Sequence, residues 1–439
     1  MSRILVMGYE LPRMAEKAVE ARSYRTWQFV QPLLEDGHEV CLLVSYADHQ
    51  FSVAHDLGPS LHYHRVCFYK PDWLARVNAL CEDFKPDGTL AVMFNSGLRA
   101  TRLKRRQPLW IDLYGDRLIE NQLALHMRGS DRGLRTTFQY QNIVLQGGDA
   151  YSTCSTPQKF ALVGQLSMAG RLNRHTLGYD FAQVVLPGAP SKQEEGGDGL
   201  KLRGEVFSND AFVVLWCGGY NAWTDVDTLF QAISQAMDRD PRIVYVSAGA
   251  SVRLAQNRSY DRLLEMIAAS PHRDRFHMLG WQPSKVLPGL YRQADVGINL
   301  DAFHYETLTG TRTRLVEMMH YGLPVITTLG CELSQIVENQ GLGLTFPIGD
   351  AGTFRDHILT MAGNRDRQKM LSEQVLKYTS QELSFKNTTR PMREWAQKPY
   401  FAADRVNNKS GFELRDVEFF LRSMARGILW KVWALERGE

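Results

Sequence analysis

Short, continuously apolar runs alternate with helical patterns in the first half of the chain. The runs at residues 4–7 and 40–44 are apolar throughout, which is typical of strands buried on both faces. Between them, Trp27, Val30 and Leu34 recur at helical spacing. The pattern recurs less clearly at residues 90–94, 109–113 and 150–154, the last two of which include polar residues. This alternation predicts a parallel sheet with helices on both faces.

The second half repeats the alternation after a polar, glycine-rich stretch at residues 187–204. Five further apolar runs predict strands at residues 212–216, 243–247, 276–279, 296–300 and 324–327. Helical patterns lie at 227–237 and 312–321, and the second is followed by Gly322, a common C-cap residue. Two similar α/β units joined by a linker predict two domains whose strand ends face each other across a cleft, where ligands bind in such sheets.

The length and charge of the chain limit the classes of protein to which it can belong. At 439 residues it exceeds what one hydrophobic core usually holds, which agrees with two domains. The net charge of +3 is too small to indicate a nucleic acid partner. The six cysteines are scattered without a CxxC pair, which argues against a zinc site or a disulfide framework and favours a reducing compartment.

No apolar stretch reaches the roughly 18 residues of a membrane span, and no signal-peptide core follows Met1, so we expect a cytoplasmic protein. The C-terminal tail is different in character. Residues 415–437 have the pattern of an amphipathic helix with a broad apolar face that includes Phe420, Met424 and Ile428, and with five basic residues. Such a helix packs on its own domain or on a dimer partner, or it attaches reversibly to an anionic membrane surface; the sequence leaves both open.

A candidate phosphate site lies at the start of the predicted helix at 312–321. Backbone N–H groups at a helix start, here those of Thr313 and Leu315, attract anions. Arg312 and Arg314 add guanidinium groups suited to phosphate, and Glu317, one turn later, can accept hydrogen bonds from a ribose diol. Together they predict a site for a diphosphate and a ribose, unless both arginines are surface residues and Glu317 pairs locally.

This segment resembles part of a known family. Residues 311–328, with GLYRQADVGINLDAF upstream, resemble the C-terminal domain of family 4 (group 1) glycosyltransferases, which have the GT-B fold. Glu317 occupies the second position of the family's Glu-x7-Glu region, which binds ribose, and HYGLPVITT continues the motif. The segments LLEDGHEVCLLV, GGDAYSTCS and VDTLFQAI resemble further family segments in the same order, so the resemblance extends over most of the chain.

The resemblance implies an α/β protein of GT-B architecture, with two Rossmann-like domains facing across a cleft and a C-terminal helical tail. It implies an N-terminal acceptor domain at residues 1–188, a linker at 189–204 and a C-terminal donor domain at 205–384. A helix at 385–404 would cross back to the first domain, and the amphipathic tail would occupy 405–439.

The chain departs from the family pattern where the diphosphate should be held. The family's arginine and lysine would fall at Gly219 and Thr224, so neither charge is present. Arg312 and Arg314 are therefore the expected replacements, with the backbone of Gly218 and Gly219 approaching the phosphates closely.

Two further departures concern the transferred sugar. The family's first glutamate would fall at Thr309, and Glu306 is the expected substitute. The family's N-domain histidine would fall in WIDLYGD, where we expect Tyr114 to act. His304 follows a predicted strand end and should line the cleft beside the donor.

Two loop residues complete the predicted site. Arg25 is either a solvated loop arginine or the residue that completes the phosphate clamp from the first domain. Trp223 either stacks on the base or sugar of the donor or serves as a packing anchor. Asp225 and Asp227 have the spacing of a DxD metal motif, but they open a predicted helix, so capping is the expected role and we predict no metal site.

The resemblance implies retaining transfer from a nucleoside diphosphate sugar without a metal or other cofactor. The partners would be a sugar nucleotide and a glycan, lipid-linked or small-molecule acceptor in bacterial glycan or glycoconjugate synthesis, and no nucleic acid. Residues 415–437 would hold the protein at the inner face of the membrane if they bind lipid. Two alternatives remain: a GT-B-fold phosphorylase or epimerase, and an inactive sugar-nucleotide-binding scaffold.

Overall fold

The computed structural model describes residues 1–12, 21–45, 55–56, 60–104, 107–194, 200–252 and 258–407. The predicted amphipathic helix at residues 415–437 lies outside these ranges, as does part of the predicted linker. None of the helices within them combines the length and the apolar character needed to cross a membrane.

The first sheet contains eight of the described strands. They are β1 (Arg3–Gly8), β2 (Glu39–Ser45), β3 (His55–Asp56), β4 (Leu61–Val66), β5 (Gly88–Val92), β6 (Leu109–Leu113), β7 (Ala150–Thr153) and β8 (Ala182–Val184). Their order is β3-β4-β2-β1-β5-β6-β7-β8, and every pair except β3 with β4 is parallel. Successive side chains of β1 point to opposite faces, so Leu5 and Met7 join one apolar core and Ile4 and Val6 join the other.

The helices of this sheet are α1 (Ala21–Glu35), α2 (Trp73–Phe84), α3 (Phe94–Ala100), α4 (Arg117–Arg128), α5 (Leu134–Gly147) and α6 (Thr156–Met168). Two of them have side-chain caps that fix where they begin. The Asp116 carboxylate accepts the backbone N–H groups of Leu118 and Ile119, and the Ser155 hydroxyl accepts that of Gln158. Because α4 and α6 follow the parallel strands β6 and β7, both begin at the carboxyl edge of the sheet.

The second sheet contains β9 (Phe212–Cys217), β10 (Ile243–Ala248), β11 (Phe276–Met278), β12 (Val296–Asn299), β13 (Val325–Thr328) and β14 (Gly343–Phe346). These strands are all parallel and lie in the order β11-β10-β9-β12-β13-β14. Val214 and Trp216 of β9 belong to one core, and Val213 and Leu215 belong to the core on the other face. The structure confirms the predicted α/β class with two parallel sheets.

The helices around the second sheet are α7 (Val226–Arg239), α8 (Ser259–Ala268), α9 (Leu287–Gln293), α10 (Tyr305–Thr309), α11 (Thr313–His320), α12 (Glu332–Asn339), α13 (Ala351–Ala362) and α14 (Arg365–Gln381). Single 3-10 turns occupy Arg273–Arg275 and Ser284–Val286. Asp225 caps α7 by accepting the N–H of Thr228 at 3.0 Å.

The chain then returns to the first sheet through α15 (Phe385–Thr388), α16 (Arg390–Gln397) and α17 (Ala403–Asn407). Trp395 of α16 packs against Trp110 of β6, with ring centroids 5.6 Å apart. The outgoing and returning segments lie side by side, because the N–H of Ala189 donates to the oxygen of Leu383 and the N–H of Phe385 donates to the oxygen of Ala189, each at 2.7 Å. This pairing connects the two halves of the molecule at one end of the cleft.

Candidate functional site

Arg314 lies in the first turn of α11, beside the carboxyl end of β9. Its Nη2 donates to the carbonyl oxygen of Gly219 at 2.8 Å, and its Cζ lies 4.0 Å from the ring centroid of Trp216. Its Nη1 is buried and has no hydrogen-bond partner within the described residues. Burial lowers the pKa of this guanidinium. A partly buried cation with an unused N–H group favours the approach of an anion.

Gly218 opens the space beside Arg314. Its φ of 107° is a conformation that favours glycine. A Cβ built on Gly218 would lie 3.7 Å from Cζ of Arg314, and one built on Gly249 would lie 1.9 Å from the carbonyl oxygen of Gly218. The absence of a side chain at Gly249 therefore lets the two loops meet beside Arg314.

A cavity of about 360 Å³ lies between the two sheets next to this loop. Both domains and the connecting segment line it. Its lining includes Tyr24, Trp27, Pro190, Gly218, Trp281, Tyr291 and Glu317. A cavity of this size, mainly apolar with a few polar groups, is typical of small-molecule sites.

Glu317 supplies the acidic group that faces this cavity from α11. The Tyr291 hydroxyl donates to its Oε2 at 3.3 Å, and the Tyr291 ring stacks on Tyr321 with centroids 5.1 Å apart. Burial raises the pKa of Glu317 to about 7, although Tyr291 and Arg314 act in the opposite direction. Tyr291 therefore orients the Glu317 carboxyl group. Within the described residues no salt bridge occupies this group, so its oxygens can accept hydrogen bonds from a ligand.

Arg312 does not face this cavity, which revises the expectation that it grips a phosphate. The residue is only 4% exposed. Its Nε donates to Asp301 at 2.9 Å, and its Nη1 and Nη2 donate to the two oxygens of Glu306 at 3.0 and 2.8 Å. The contacts of this guanidinium are therefore with two carboxylates and the carbonyl oxygen of Thr311, all inside the second domain.

Glu306 and Trp223 both contact Arg312, and neither is among the residues that line the cavity. The two Glu306 oxygens each accept a hydrogen bond from Arg312, so the expectation that Glu306 substitutes for the family's sugar-binding glutamate stays a prediction. The centroid of the Trp223 ring lies 5.4 Å from Cζ of Arg312, so one side of the partly buried tryptophan packs on this network. Asp301 completes the network from the end of β12.

Tyr114 and Thr313 meet across the cleft, since the Tyr114 hydroxyl forms a hydrogen bond with Oγ1 of Thr313. Tyr114 therefore connects the end of β6 to the start of α11 in this structure. The expected role of Leu315 is revised: its side chain is fully buried and its N–H donates to the carbonyl oxygen of Arg312 at 3.0 Å, so this amide is not free to bind an anion.

Arg25 is likewise a structural residue, which revises its expected place in a phosphate clamp. Its Nε and Nη2 donate to Asp112 at 3.0 and 2.7 Å, and its Nη1 donates to Gln28 at 2.9 Å. The residue is buried beneath Tyr114, whose ring centroid lies 4.7 Å from its Cζ. The Arg25–Asp112 pair thus supports Tyr114 from below.

The short helix α10 seals the second domain against the first. The Ser155 hydroxyl donates to the carbonyl oxygen of Thr309, which stands where the family has its first glutamate. Burial and the nearby His126 of α4 lower the pKa of His304, which occupies the N-cap position of α10 without a capping hydrogen bond from its side chain. His304 is thus at the domain contact and is not among the residues that line the cavity.

Several lining residues were not predicted from the sequence. Tyr24, Trp27, Trp281 and Tyr291 bring aromatic rings to the cavity from α1, the loop after β11, and α9. The signals in the sequence were SYRTW at residues 23–27, WQP shortly after a predicted strand, and GLYRQAD within the family-like segment. Within the described ranges, no three His, Cys, Asp or Glu side chains form a group able to hold a metal ion.

Comparison with curated protein sequences finds no match. A family model described as "Glycosyl transferases group 1" matches residues 211–364, which include β9, α11 and Glu317. Among solved structures, sucrose-phosphate synthase from Thermosynechococcus elongatus is similar with a TM-score of 0.67 at 14% identity, covering 90% of this chain and 98% of that one.

Two other solved structures show the same arrangement. Anabaena HepE, in complex with UDP and glucose, has a TM-score of 0.64 at 14% identity and covers 90% of this chain and 100% of its own. A UDP-forming α,α-trehalose-phosphate synthase from Burkholderia xenovorans has a TM-score of 0.63 at 12% identity, covering 90% and 99%. The chain therefore has the GT-B glycosyltransferase fold, and its second domain matches the group 1 glycosyltransferases, as the sequence resemblance predicted.

Proposed function

We propose that this chain transfers a sugar from a nucleoside diphosphate sugar, with UDP as the nucleotide, to an acceptor held mainly by the first domain. One observation carries the proposal. The Glu317 carboxyl group faces a cavity between the domains, and one helical turn away Arg314, with its unpaired Nη1, contacts the loop of Gly218 and Gly219, of which Gly218 lines the cavity although Arg314 does not. A hydrogen-bond acceptor for a ribose diol next to a cation for a diphosphate suits this class of ligand.

The cavity suggests how the donor lies. We place the ribose at Glu317 and the diphosphate between Arg314 and the Gly218 backbone. The base then extends toward Trp281 and Gln282, which offer an aromatic face and a side-chain amide. UDP is favoured over other nucleotides by the fold shared with HepE, whose structure holds UDP.

The chemistry follows from the charge that develops during transfer. The bond between the anomeric carbon and the diphosphate breaks while the acceptor oxygen bonds to that carbon, and the acceptor proton leaves with the nucleoside diphosphate. Arg314 and the start of α11 would stabilise the negative charge on the leaving group. We propose that transfer retains the anomeric configuration and needs no metal or other cofactor, as the family resemblance implies.

The proposal includes the setting in which the enzyme acts. The acceptor is a glycan, a lipid-linked sugar or a small molecule of bacterial glycoconjugate synthesis, and the protein is cytoplasmic. Attachment of residues 415–437 to the inner face of the membrane belongs to this proposal and is independent of the donor cavity.

Calorimetric titration with UDP-, GDP- and dTDP-sugars tests the donor site. We expect UDP-sugars to bind and Glu317→Gln to weaken binding by roughly tenfold, because the amide replaces one acceptor oxygen by a donor group. Wild-type affinity should fall below about pH 7, where Glu317 takes up its proton, whereas the affinity of Glu317→Gln should change little with pH. Glu373→Gln, an exposed residue of α14, is the matched control.

Product analysis separates the proposal from its alternatives. Transfer to an added acceptor in the presence of EDTA supports a metal-independent glycosyltransferase. Release of a sugar phosphate would indicate a phosphorylase, interconversion of the donor an epimerase, and binding without turnover on any acceptor a scaffold. If no sugar nucleotide binds, the donor-site proposal is wrong.

A further inference from the structure

Trp216 makes two contacts at the carboxyl end of β9. The residue is fully buried, and its ring belongs to a core of the second domain. Its Nε1 donates to the carbonyl oxygen of Gly218 at 2.8 Å, and Cζ of Arg314 lies 4.0 Å from its ring centroid. One indole therefore contacts both the glycine loop after β9 and the cation of α11.

The indole is itself held by a neighbouring ring. Trp216 and Tyr220 are stacked, with ring centroids 4.8 Å apart and an angle of 17° between the ring planes. The Tyr220 hydroxyl is hydrogen bonded to the hydroxyl groups of Tyr245 and Ser247 in β10, each at 2.7 Å. Because β10 fixes Tyr220 and Tyr220 packs against Trp216, the indole has little freedom to turn.

The contact with Trp216 sets the direction of the peptide group between Gly218 and Gly219. This peptide bond is trans, so its C=O and N–H groups point in opposite directions. Since the Gly218 carbonyl group points to the indole, the Gly219 N–H points away from it. Gly218 lines the cavity, whereas Trp216 does not.

Two buried donors beside this contact have no partner. Gly219 is buried, and its N–H makes no hydrogen bond within the described ranges. Nη1 of Arg314 is also buried without a partner there, while its Nη2 donates to the carbonyl oxygen of Gly219. Buried N–H groups in folded proteins nearly always have a partner, so two unused donors on hydrogen-bonded residues indicate a place for an anion.

We infer that Trp216 is a positioning residue for the diphosphate of the donor. It turns the peptide group so that the Gly219 N–H donates to a phosphate oxygen, and it supports the guanidinium of Arg314 at the same diphosphate. Trp216 touches neither the nucleotide nor the sugar and acts only through these two groups. The inference rests on the proposed function, to which it adds a backbone ligand and the side chain that orients it.

Calorimetric titration with UDP and with uridine tests the role of Trp216, since uridine lacks the diphosphate. Trp216→Phe keeps an aromatic ring but loses the indole N–H, so we expect UDP binding to weaken about fivefold and uridine binding to stay unchanged. Trp216→Leu also loses the contact with the cation, and UDP binding should weaken about 30-fold. A merely structural role would weaken the binding of both ligands equally.

The double variant Trp216→Leu/Arg314→Ala shows whether the two residues act together. It should bind UDP about fivefold more weakly than Arg314→Ala alone, and not about 30-fold, because the contribution through the cation is already lost. Trp395→Phe is the matched control. Trp395 is a buried tryptophan of α16 that packs on Trp110 of the first sheet, so this variant should bind UDP and uridine like the wild type.

The possible failures are distinguishable. If the wild type binds UDP no more tightly than uridine, both the diphosphate site of the proposed function and the role of Trp216 are wrong. If Arg314→Ala removes the preference for UDP while Trp216→Phe and Trp216→Leu keep it in full, the proposed function stands and only the role of Trp216 is wrong. Equal weakening of UDP and uridine binding by Trp216→Phe would also overturn it. Urea unfolding checks that each variant is folded, and Trp216→Phe keeps the test decisive if Trp216→Leu does not fold.

Discussion

Arg312 and Arg314 are two positions apart, yet the structure gives them opposite surroundings. Residues at this spacing at the start of a helix point to different sides. Arg312 enters the interior, where Asp301 and Glu306 neutralise it, whereas Arg314 points to the end of β9 and keeps an unpaired N–H group. One arginine therefore stabilises the second domain, and the other remains available to a ligand.

Replacing each arginine by alanine should separate these roles. We expect Arg314→Ala to weaken UDP-sugar binding by roughly 10- to 100-fold, the loss of a charged hydrogen bond, with little change in the urea midpoint. Arg312→Ala should instead lower the stability by about 3–5 kcal/mol, because two buried carboxylates lose their partner. Calorimetry and urea unfolding measure the two effects. Arg262→Ala, an exposed residue of α8, is the control, and the opposite assignment of effects would contradict the interpretation.

At the scale of helices, the contact between the domains includes a carboxylate at a helix start. Besides the Tyr114–Thr313 and Ser155–Thr309 hydrogen bonds, the N–H and hydroxyl of Thr156, at the start of α6, donate to Glu332 at the start of α12. A carboxylate at a helix N-terminus is favoured by the helix dipole. Glu332 thus caps a helix of the other domain.

We expect Glu332→Ala to open the cleft in the absence of donor. Loss of this contact should destabilise the closed arrangement of the two domains by about 1–2 kcal/mol. The fraction of molecules with an open cleft should therefore rise roughly tenfold. Small-angle scattering should then show a larger radius of gyration, which a bound UDP-sugar reduces. Glu338→Ala on the same helix, whose carboxylate accepts from Thr345 within the second domain, should scatter like the wild type. An identical profile for both variants would show that Glu332 does not hold the domains together.

For the whole molecule, closure buries acidic groups contributed by both domains. Burial raises the pKa of Glu317 to about 7, and burial with the nearby Glu306 raises that of Glu120 to about 7. The folded protein therefore holds these two protons to a higher pH than the unfolded chain does. As a result, the free energy of unfolding falls as the pH rises from about 4.5 to about 7, and the effect is complete above that range.

Replacing Glu120 or Glu317 by glutamine should remove that residue's share of the fall in stability between about pH 4.5 and pH 7. We expect Glu120→Gln and Glu317→Gln each to raise the stability at about pH 8 by about 1–3 kcal/mol and to change it little near pH 4.5. Urea unfolding at the two pH values measures the difference, with Glu373→Gln as the control. If a glutamine variant differs from the wild type by the same free energy of unfolding at both pH values, titration of that carboxyl group does not cause the pH dependence of stability.

The sequence by itself determined the fold class and the family resemblance. Parallel strands covered on both faces require continuous apolar runs, so β1, β2, β9 and β10 could be recognised locally. The motif around Glu317 is also contained within one short segment, and for that reason the group 1 resemblance could be read without any contact information.

Only the tertiary structure decided which predicted residues share a site. Arg25 and Arg312 have the residue type of phosphate ligands, but their partners Asp112, Asp301 and Glu306 were identified only when the strands came together. The aromatic wall of the cavity comes from segments more than a hundred residues apart, such as those of Tyr24 and Tyr291. Residue type and spacing are local, whereas burial, pairing and the direction of a side chain depend on neighbours that the sequence order does not place together.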